Sequence, residues 1–258
     1  MKRKTIKHLE IRSGMSIDEL VKQMRLSAFG ARKLATAADI CEEMIKDKEC
    51  KIFLGVAGAM VPAGMKNIIF DMLDKGWVDI FVTTGANLTH DLAEALGYPH
   101  YTGFSMSDKK LHDLGMSRIY DSYMPTKAYL GLEKFFQSAL EKIPKNEMGI
   151  REFLFELGRI APKDSLLHIC HKKNIPLFCP AIADSGIGLQ IWSYIAGGKY
   201  LAVNTFSDLK EIISIAWSAK RKGVIYIGGG VPKNYIQQSM QVSKPADYGV
   251  QITTDRPE

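Results

Sequence analysis

Small and polar residues with the chemistry to bind a nucleotide follow four short apolar runs of the chain. Glycine lets a phosphate or a planar ring approach the backbone closely, and threonine, asparagine and aspartate offer hydroxyl, amide and carboxylate groups to a sugar. The four loops cover residues 55–64, 83–87, 183–188 and 228–230. Their polar side chains include Thr83, Thr84, Asn87 and Asp184. These residue types predict a nucleotide site.

No common phosphate motif supports this prediction, because neither GxGxxG nor GxxxxGK(S/T) occurs in the chain. The glycines at 228–230 are as consistent with a tight turn between a strand and a helix as with a ligand site. Asp184 could likewise cap the helix that follows it. Four such loops together favour binding over coincidence.

The elements that would position these loops follow from the apolar runs. Each run is continuous, as in a parallel strand covered on both faces, and each precedes a loop and a helical segment. We therefore predict an α/β fold that is Rossmann-like and doubly wound, with a mainly parallel sheet and helices on both faces. In such folds ligands bind beyond the carboxyl ends of the strands, so the four loops are expected to line one crevice.

Further elements are predicted outside these four combinations of strand, loop and helix. Residues 16–46 have helical spacing and predict an N-terminal helical segment of one or two helices, with Ser16 and Glu19 as a capping box. The runs at 201–203 and 248–252 predict additional strands, and an amphipathic segment between them predicts a crossing helix.

The composition of the 258 residues is that of a soluble globular protein, with 46% hydrophobic and 24% charged residues. No linker is visible, and residues 1–258 are predicted to form a single domain. The net charge of +6 arises from 34 basic and 28 acidic residues that are interspersed, which gives no basis for nucleic-acid binding. No apolar run approaches the ~20 residues that cross a bilayer. We expect a cytoplasmic protein that does not bind membranes.

The cysteines and histidines match no metal or redox motif. The four cysteines are unevenly spaced and form no CxxC pair, so we expect reduced thiols. His168 and His171 could share a helix face near Cys170 and Cys179, but the spacing fits no common zinc pattern. No metal site is predicted. Two other histidines are expected at the surface, His100 and His112.

Six segments resemble the deoxyhypusine synthase family, from about Ile17 to the end of the chain. They read LSAFGARKLATAADI, VDIFVTTGANLTHDL, MSRIYDSYMP, NIPLFCPAIADSGIG, GGGVPKNYI and ADYGVQITTDRPE. The second segment resembles the nucleotide loop of archaeal and bacterial members. One such segment is weak evidence, whereas six in family order are strong evidence.

The resemblance implies an NAD-dependent aminobutyltransferase that forms a homotetramer. Such enzymes oxidise spermidine with NAD, capture the aminobutyl group on an enzyme lysine as an imine, and pass it to a lysine of a translation initiation factor. The retained NADH then reduces the product. The enzyme lysine must be a neutral nucleophile, so burial or neighbouring charge must lower its pKa.

The resemblance also implies which residues contact the ligands. The NAD contacts correspond to Thr84, Gly85, Ala86, Asp184, Gly228, Gly229, Gly230 and Thr254. The amine-binding positions correspond to Asn234 and Gln190.

Three positions depart from the better-known members of the family. His90 stands where those members have an acidic residue, Asn234 replaces a histidine, and Leu189 with Gln190 takes the place of an acidic amine-binding residue. Each missing carboxylate removes a charge-assisted hydrogen bond of ~1.5 to 3 kcal/mol. A homospermidine synthase-like enzyme, which passes the aminobutyl group to a free diamine, is therefore an alternative.

The catalytic lysine of the family lies in a Ser-Trp-Gly-Lys motif downstream of Asp-Arg-Pro-Glu, and no such motif occurs up to Glu258. Lys233 follows the glycine turn but does not match the imine-forming position, so no catalytic residue is assigned. We expect a C-terminally incomplete chain whose lysine lies beyond Glu258. The alternative is a catalytically inactive NAD-binding subunit that pairs with an active paralogue.

Overall fold

The computed structural model describes residues 5–103, 105–144 and 147–254 of the chain, in which helices and strands alternate. The helices are α1 (Ile17–Met24), α2 (Phe29–Lys46), α3 (Lys66–Asp74), α4 (Gly85–Ala95), α5 (Asp108–Asp113), α6 (Lys127–Leu140), α7 (Ile150–Ile160), α8 (Leu166–Lys173), α9 (Gly186–Ala196), α10 (Thr205–Ser218) and α11 (Gly230–Gln241). The strands are β1 (Cys50–Val56), β2 (Ile80–Thr83), β3 (Tyr101–Thr102), β4 (Met116–Ile119), β5 (Ser122–Pro125), β6 (Met148–Gly149), β7 (Leu177–Phe178), β8 (Val203–Asn204), β9 (Arg221–Ile227) and β10 (Tyr248–Ile252).

Five strands form a parallel sheet in the order β10-β9-β1-β2-β7. β1 lies at its centre, with Leu54 paired to Phe81 of β2 on one side and to Ile225 of β9 on the other. The four runs that precede the small-residue loops are β1, β2, β7 and β9. The predicted mainly parallel sheet is confirmed.

Helices pack on both faces of this sheet, because successive side chains of a strand point to opposite faces and both sets are apolar. Phe53 and Phe178 form one core cluster with Ile212 of α10 and Ile236 of α11. The alternate strand residues, such as Leu54, belong to a larger cluster with residues of α2, α3, α4, α7 and α8. The doubly wound architecture is therefore confirmed.

The N-terminal helical segment consists of two helices, α1 and α2. The backbone N–H of Glu19 donates to Ser16 Oγ (3.1 Å), and the backbone N–H of Ser16 donates to Glu19 Oε2 (2.8 Å). This reciprocal pair is the predicted capping box. Ala28 is extended and is the N-cap of α2, without a side-chain cap.

The run at 201–203 contributes only to β8, which pairs with β6 in a separate two-stranded sheet. Asn204 Oδ1 accepts hydrogen bonds from the backbone N–H groups of Phe206 (2.9 Å) and Ser207 (3.3 Å). Because this cap starts α10 at once, the strand ends after two residues. The run at 248–252 forms β10 as predicted, at one edge of the main sheet.

Sequence analysis missed the small antiparallel sheet β3-β5-β4, whose strands come between β2 and β7 in the chain but form a sheet of their own. The segment MSRIYDSYMP forms its hairpin, in which Arg118 pairs with Tyr123. Tyr120 in the turn has a φ of +57°, a conformation for which Gly, Asn or Asp is the usual signal. Asp121 is the other residue of the turn, but the positive φ falls on Tyr120, a residue type that does not predict it. In the described parts of the chain, no helix is long and apolar enough to cross a bilayer.

Candidate functional site

The strand order reverses between β1 and β9. From β1 the chain proceeds to β2 and β7 on one side of the sheet, and it returns to β9 and β10 on the other. Val56 pairs with Ile227 at the carboxyl ends of these two strands, and the Ala57 N–H donates to the Ile227 carbonyl at 2.9 Å. Ligands of open α/β sheets bind at such a reversal, so this edge is the candidate site.

The glycine turn after β9 presents an open helix terminus at this edge. Gly228 and Gly230 have φ values of +78° and +60°, which L side chains adopt with strain. Gly229 is the N-cap of α11 and supplies no side-chain cap. A Cβ on Gly230 would meet no atom within 4 Å among the described residues, so the space above it is open. The first N–H groups of α11 can thus accommodate an anion.

The loop after β1 is held by two polar side chains of the second loop. Asn87 Oδ1 accepts hydrogen bonds from the backbone N–H groups of Met60 (3.1 Å) and Val61 (3.4 Å), and Asn87 Nδ2 donates to Thr83 Oγ1 (3.3 Å). Thr83 Oγ1 in turn donates to the Val56 carbonyl at 2.9 Å. Both side chains are 1% exposed. The expectation that Thr83 and Asn87 contact a sugar is wrong, because their polar atoms already bind the loop.

The N-terminal ends of α4 and α9 interlock beside the crevice. A Cβ on Gly85 would lie 2.4 Å from the Cβ and the Oγ of Ser185, so glycine is required there for packing. Thr89 Oγ1 accepts a hydrogen bond from the Ile187 N–H (3.3 Å) and donates to the Gly85 carbonyl (2.8 Å). A Cβ on Gly186 would come within 2.6 Å of Thr89 Cγ2. This packing fixes the second and third loops relative to each other.

Asp184 does not cap α9. Ser185 is the N-cap, and its Oγ accepts a hydrogen bond from the Gly188 N–H at 3.1 Å. The Asp184 side chain is exposed. Within the described ranges no hydrogen bond or ion pair engages its carboxylate, so this group is available to a ligand.

The other predicted NAD residues also lie at the carboxyl edge of the sheet. Thr84 caps α4 through its hydroxyl, which accepts a hydrogen bond from the Asn87 N–H at 3.2 Å. Ala86 is exposed one residue into α4, whereas Gly85 is buried. Thr254 is exposed two residues after β10 ends. The residues Asp255, Arg256, Pro257 and Glu258 of the closing motif lie outside the described residues.

The two predicted amine-binding residues lie on different helices. Asn234 is exposed on the second turn of α11, close in sequence to the glycine turn. Lys233, beside it, donates from Nζ to Gln251 Oε1 at 2.8 Å. Gln190 lines a cleft of about 270 Å³ between α6 and α9, together with Phe136 and Tyr194. The lining of that cleft does not include the glycine turn.

A buried ion pair that sequence analysis missed anchors the far end of the first loop. Asp91 of α4 is fully buried, accepts a hydrogen bond from the Leu166 N–H (2.7 Å), and pairs with Lys66 Nζ at 3.0 Å. Burial raises the pKa of Asp91 to about 6, against the opposing effect of Lys66. Lys66 is the first residue of α3, so the pair ties α3, α4 and α8 together. The available signal was an acidic residue one turn after Asn87, next to the apolar residues Leu88 and Leu92 of α4.

The histidines differ from expectation in one respect. The His112 side chain is 90% exposed, as expected, whereas the His100 side chain is only 5% exposed, so its predicted surface position is wrong. His168 and His171 each place Nδ1 near a backbone carbonyl, of Gly158 (3.2 Å) and Phe155 (3.0 Å) respectively. The described residues contain no group of three or more side chains that could hold a metal ion.

The sequence model of the deoxyhypusine synthase family matches residues 19–258. The chain belongs to the deoxyhypusine synthase family. It is 44% identical to probable deoxyhypusine synthase 1 of Methanosarcina acetivorans over 256 residues, which are 98% of this chain and 80% of that protein. It is 40% identical to probable deoxyhypusine synthase 1 of Archaeoglobus fulgidus, over 96% of this chain and 82% of that protein.

A solved structure has the same fold. The crystal structure of a proposed deoxyhypusine synthase from Entamoeba histolytica superposes with a TM-score of 0.70 at 23% identity. The superposition covers 96% of this chain and 88% of that one. Membership of the deoxyhypusine synthase family supports a transferase activity.

Proposed function

We propose that this deoxyhypusine synthase family member is an NAD-dependent transferase that moves the aminobutyl group of spermidine to a lysine of a translation initiation factor. The observation that carries the proposal is the family match over residues 19–258. The crevice supports it, because the glycine turn at the strand reversal offers backbone N–H groups to a dinucleotide.

The residues of the crevice fit NAD in two respects. The open first turn of α11 at Gly230 can take the pyrophosphate, since no side chain caps it in the described structure. The Asp184 carboxylate is exposed and can accept hydrogen bonds from a ribose diol. Thr84, Ala86 and Thr254 would line the remaining edge, and buried Gly85 would act through packing. When bound, NAD supplies the hydride acceptor for amine oxidation.

The protein's own contribution is to position the ligand. Asn87 holds the loop after β1 in its middle, at Met60 and Val61, and Asp91 holds Lys66 where α3 begins, so the backbone of that loop is preorganised. Asn234 and Gln190 are proposed to contact the amine. Preorganised contacts of this kind lower the entropic cost of bringing two reacting groups together.

The proposed homotetramer is supported by an apolar helix face. Leu189, Trp192 and Ile195 of α9 are 62%, 67% and 47% exposed, and they recur every three residues on one side of the helix. Exposed apolar patches of this kind mark protein interaction sites. We propose that further copies of the chain cover this face in the assembly.

The decisive experiment uses the complete protein, purified from its native source so that any residues after Glu258 are present. It is incubated with NAD, labelled spermidine and the initiation factor, and the label is followed. Transfer of label to a factor lysine supports the proposal. Label found only in homospermidine, when putrescine is offered as acceptor, supports the homospermidine synthase-like alternative. NAD binding without any polyamine product supports the inactive subunit, which should co-purify with a longer homologue.

A matched pair of variants tests the cofactor site separately. Asp184→Asn removes a charge while keeping its shape, and we expect NAD affinity to fall about tenfold because a charge-assisted hydrogen bond is lost. Asp164→Asn alters another exposed aspartate, far from the glycine turn in sequence, and should leave NAD affinity unchanged. Equal affinity in both variants would exclude Asp184 from the NAD site.

A further inference from the structure

The outward surface of α10 carries an apolar stripe along most of its length. Phe206 and Trp217 are 78% and 70% exposed, and Ile213 between them is half-buried. Successive residues of a helix are about 100° apart, so positions 206, 213 and 217 fall within about 40° of one another. These three side chains form one row, the α10 stripe, which is about 16 Å long at the rise of an α-helix.

The polar residues beside the α10 stripe do not require water. A surface helix usually presents charged side chains to solvent, but among the exposed residues of α10, which is described over its full length, only Lys210 is charged. Ser214 Oγ donates to the Lys210 carbonyl (2.8 Å), and Ser218 Oγ donates to the Ile215 carbonyl (3.1 Å). Because both hydroxyls are satisfied within the helix, covering them with another protein surface costs little. Lys210 can keep its ammonium in water while its stem lies along the stripe.

The area of the α10 stripe matches the centre of a protein interface. The side chains of Phe206 and Trp217 alone expose about 300 Å², whereas the largest apolar patch on a typical monomer covers about 300–600 Å². A standard interface buries about 800 Å² of each partner, and aromatic residues are enriched at its centre. The stripe therefore has the size and the residue types of a surface that another protein covers.

The order of residues in the α10 stripe favours a second copy of this chain as the occupant. In a contact with two-fold symmetry, residue i of one copy meets residue j of the other, and residue j meets residue i. Two antiparallel α10 helices would place Phe206 against Trp217 of the partner subunit, with Ile213 near the symmetry axis. The same aromatic contact then forms twice, once at each end of the stripe.

A homotetramer needs a second contact face besides the α9 face. Tetramers with closed D2 symmetry contain at least two different two-fold interfaces, and the α9 face supplies one of them. The two helices lie on opposite faces of the main sheet, because Ile187 of α9 belongs to the larger core cluster and Ile212 of α10 belongs to the other one. Both interfaces can therefore form in one assembly without overlap.

We propose that the α10 stripe is the second two-fold interface of the homotetramer, in which it packs against the α10 stripe of another copy in antiparallel orientation. The inference rests on the homotetramer of the proposed function and goes beyond it by assigning this contact to α10. The α9 face joins two copies, and the α10 stripe joins two such pairs.

The first test measures the mass of the assembly by light scattering of the complete protein at a fixed concentration. The wild type should have the mass of four chains, and Trp217→Glu and Trp192→Glu should each have the mass of two. The double variant should be a monomer, because each interface would have to bury an unpaired charge. Tyr120→Glu changes another aromatic side chain, 89% exposed in the turn between β4 and β5, and should remain a tetramer.

The second test identifies the surface that covers the stripe. Packed helices lie about 8–10 Å apart, so a thiol-reactive cross-linker of that length should join chains carrying both Phe206→Cys and Trp217→Cys into covalent dimers. Either substitution alone should give none, because position 206 lies about 16 Å from position 206 of an antiparallel partner. The wild type with its own four cysteines is the control. Peptide mapping should find the link between positions 206 and 217 of different chains.

The outcomes separate this inference from the proposed function. If Trp217→Glu stays a tetramer while Trp192→Glu becomes a dimer, the α10 assignment is wrong and the homotetramer stands. If the wild type is a dimer that Trp217→Glu splits, the α10 contact is supported and the homotetramer is refuted. A link from position 206 to a different protein, or to another part of the chain, would overturn the proposal. A wild-type monomer would refute both assemblies, whereas label transfer by the complete protein tests the transferase activity independently.

Discussion

Replacing Gly85 by alanine should destabilise the protein even without a ligand. The new Cβ would lie 2.4 Å from both the Cβ and the Oγ of Ser185, which are held at the N-cap of α9. Neither atom is the far end of a flexible side chain, so α4 and α9 must separate slightly. The effect reports whether Gly85 serves packing between the two helices.

The size of the effect follows from two opposing contributions. Overpacking of this kind costs about 1–3 kcal/mol, whereas alanine in a helix gains about 0.5–1 kcal/mol over glycine. We expect a net loss of about 1–2 kcal/mol in unfolding free energy. Gly30→Ala is the matched control, because a Cβ on Gly30 of α2 meets nothing within 4 Å in the described structure. That variant should be as stable as the wild type or slightly more stable.

A double-mutant cycle measured by urea unfolding identifies the cause. Ser185→Gly removes the clashing atoms. As an N-cap change it costs only a few tenths of a kcal/mol in unfolding free energy, since glycine is also a good cap. It also removes the hydrogen bond from Ser185 Oγ to the Ile182 carbonyl (2.6 Å). In the double variant, the cost of Gly85→Ala should largely disappear, with a coupling of at least about 1 kcal/mol. Additive losses, or a Gly85→Ala variant as stable as Gly30→Ala, would refute the packing explanation.

Three further predictions concern the loop, the assembly and the pH dependence. Asn87→Ala leaves two backbone N–H groups without their acceptor, so the unfolding free energy should fall by about 2–3 kcal/mol and NAD should bind more weakly. Urea unfolding measures the first effect and a binding titration the second. Unchanged values would contradict the role of Asn87. Trp192→Glu should shift the protein to a smaller oligomer in light scattering, and an unchanged mass would exclude the α9 face. Asp208, 3% exposed, accepts a hydrogen bond from the Arg151 N–H at 2.9 Å, and burial raises its pKa to about 7. Because the raised pKa keeps the folded state protonated where the unfolded state ionises, the stability that Asp208 contributes is lost as pH rises. From about pH 4 to pH 7, the wild type should therefore lose unfolding free energy relative to Asp208→Asn, by up to about 1.4 kcal/mol per pH unit. A constant difference between the two proteins across that range would contradict the assignment.

Much of the fold could be predicted because its signals are local. The four apolar runs became parallel strands, and the pair Ser16 and Glu19 formed its capping box, since both patterns depend on residues close together in the chain. The hairpin around Tyr120 escaped prediction because the positive φ of its turn falls on a tyrosine, and the turn contains no Asn-Gly or Asp-Gly pair. The strand at Val203 was shortened by the Asn204 cap, whose effect depends on where α10 begins.

The candidate site was predicted as a set of loops, but the roles of individual residues were not. The loops meet at one edge because parallel strands end together, which the sequence pattern already indicates. Whether Asn87 faces a ligand or the Met60 N–H depends on the path of another loop. His100 was expected at the surface because its partners, Glu94 and His90, belong to a helix that packs against it only in the folded chain.

The sequence by itself determined the strand-loop-helix units, their glycine-rich ends and the membership of a transferase family. Only the tertiary structure decided that Gly85 is required by Ser185, that Asp184 is left free by the Ser185 cap, and that His100 contacts Glu94 and His90. Local patterns specify elements because hydrogen bonding and side-chain periodicity act within a few residues. Contacts between residues far apart in the chain arise from packing, which no short pattern records.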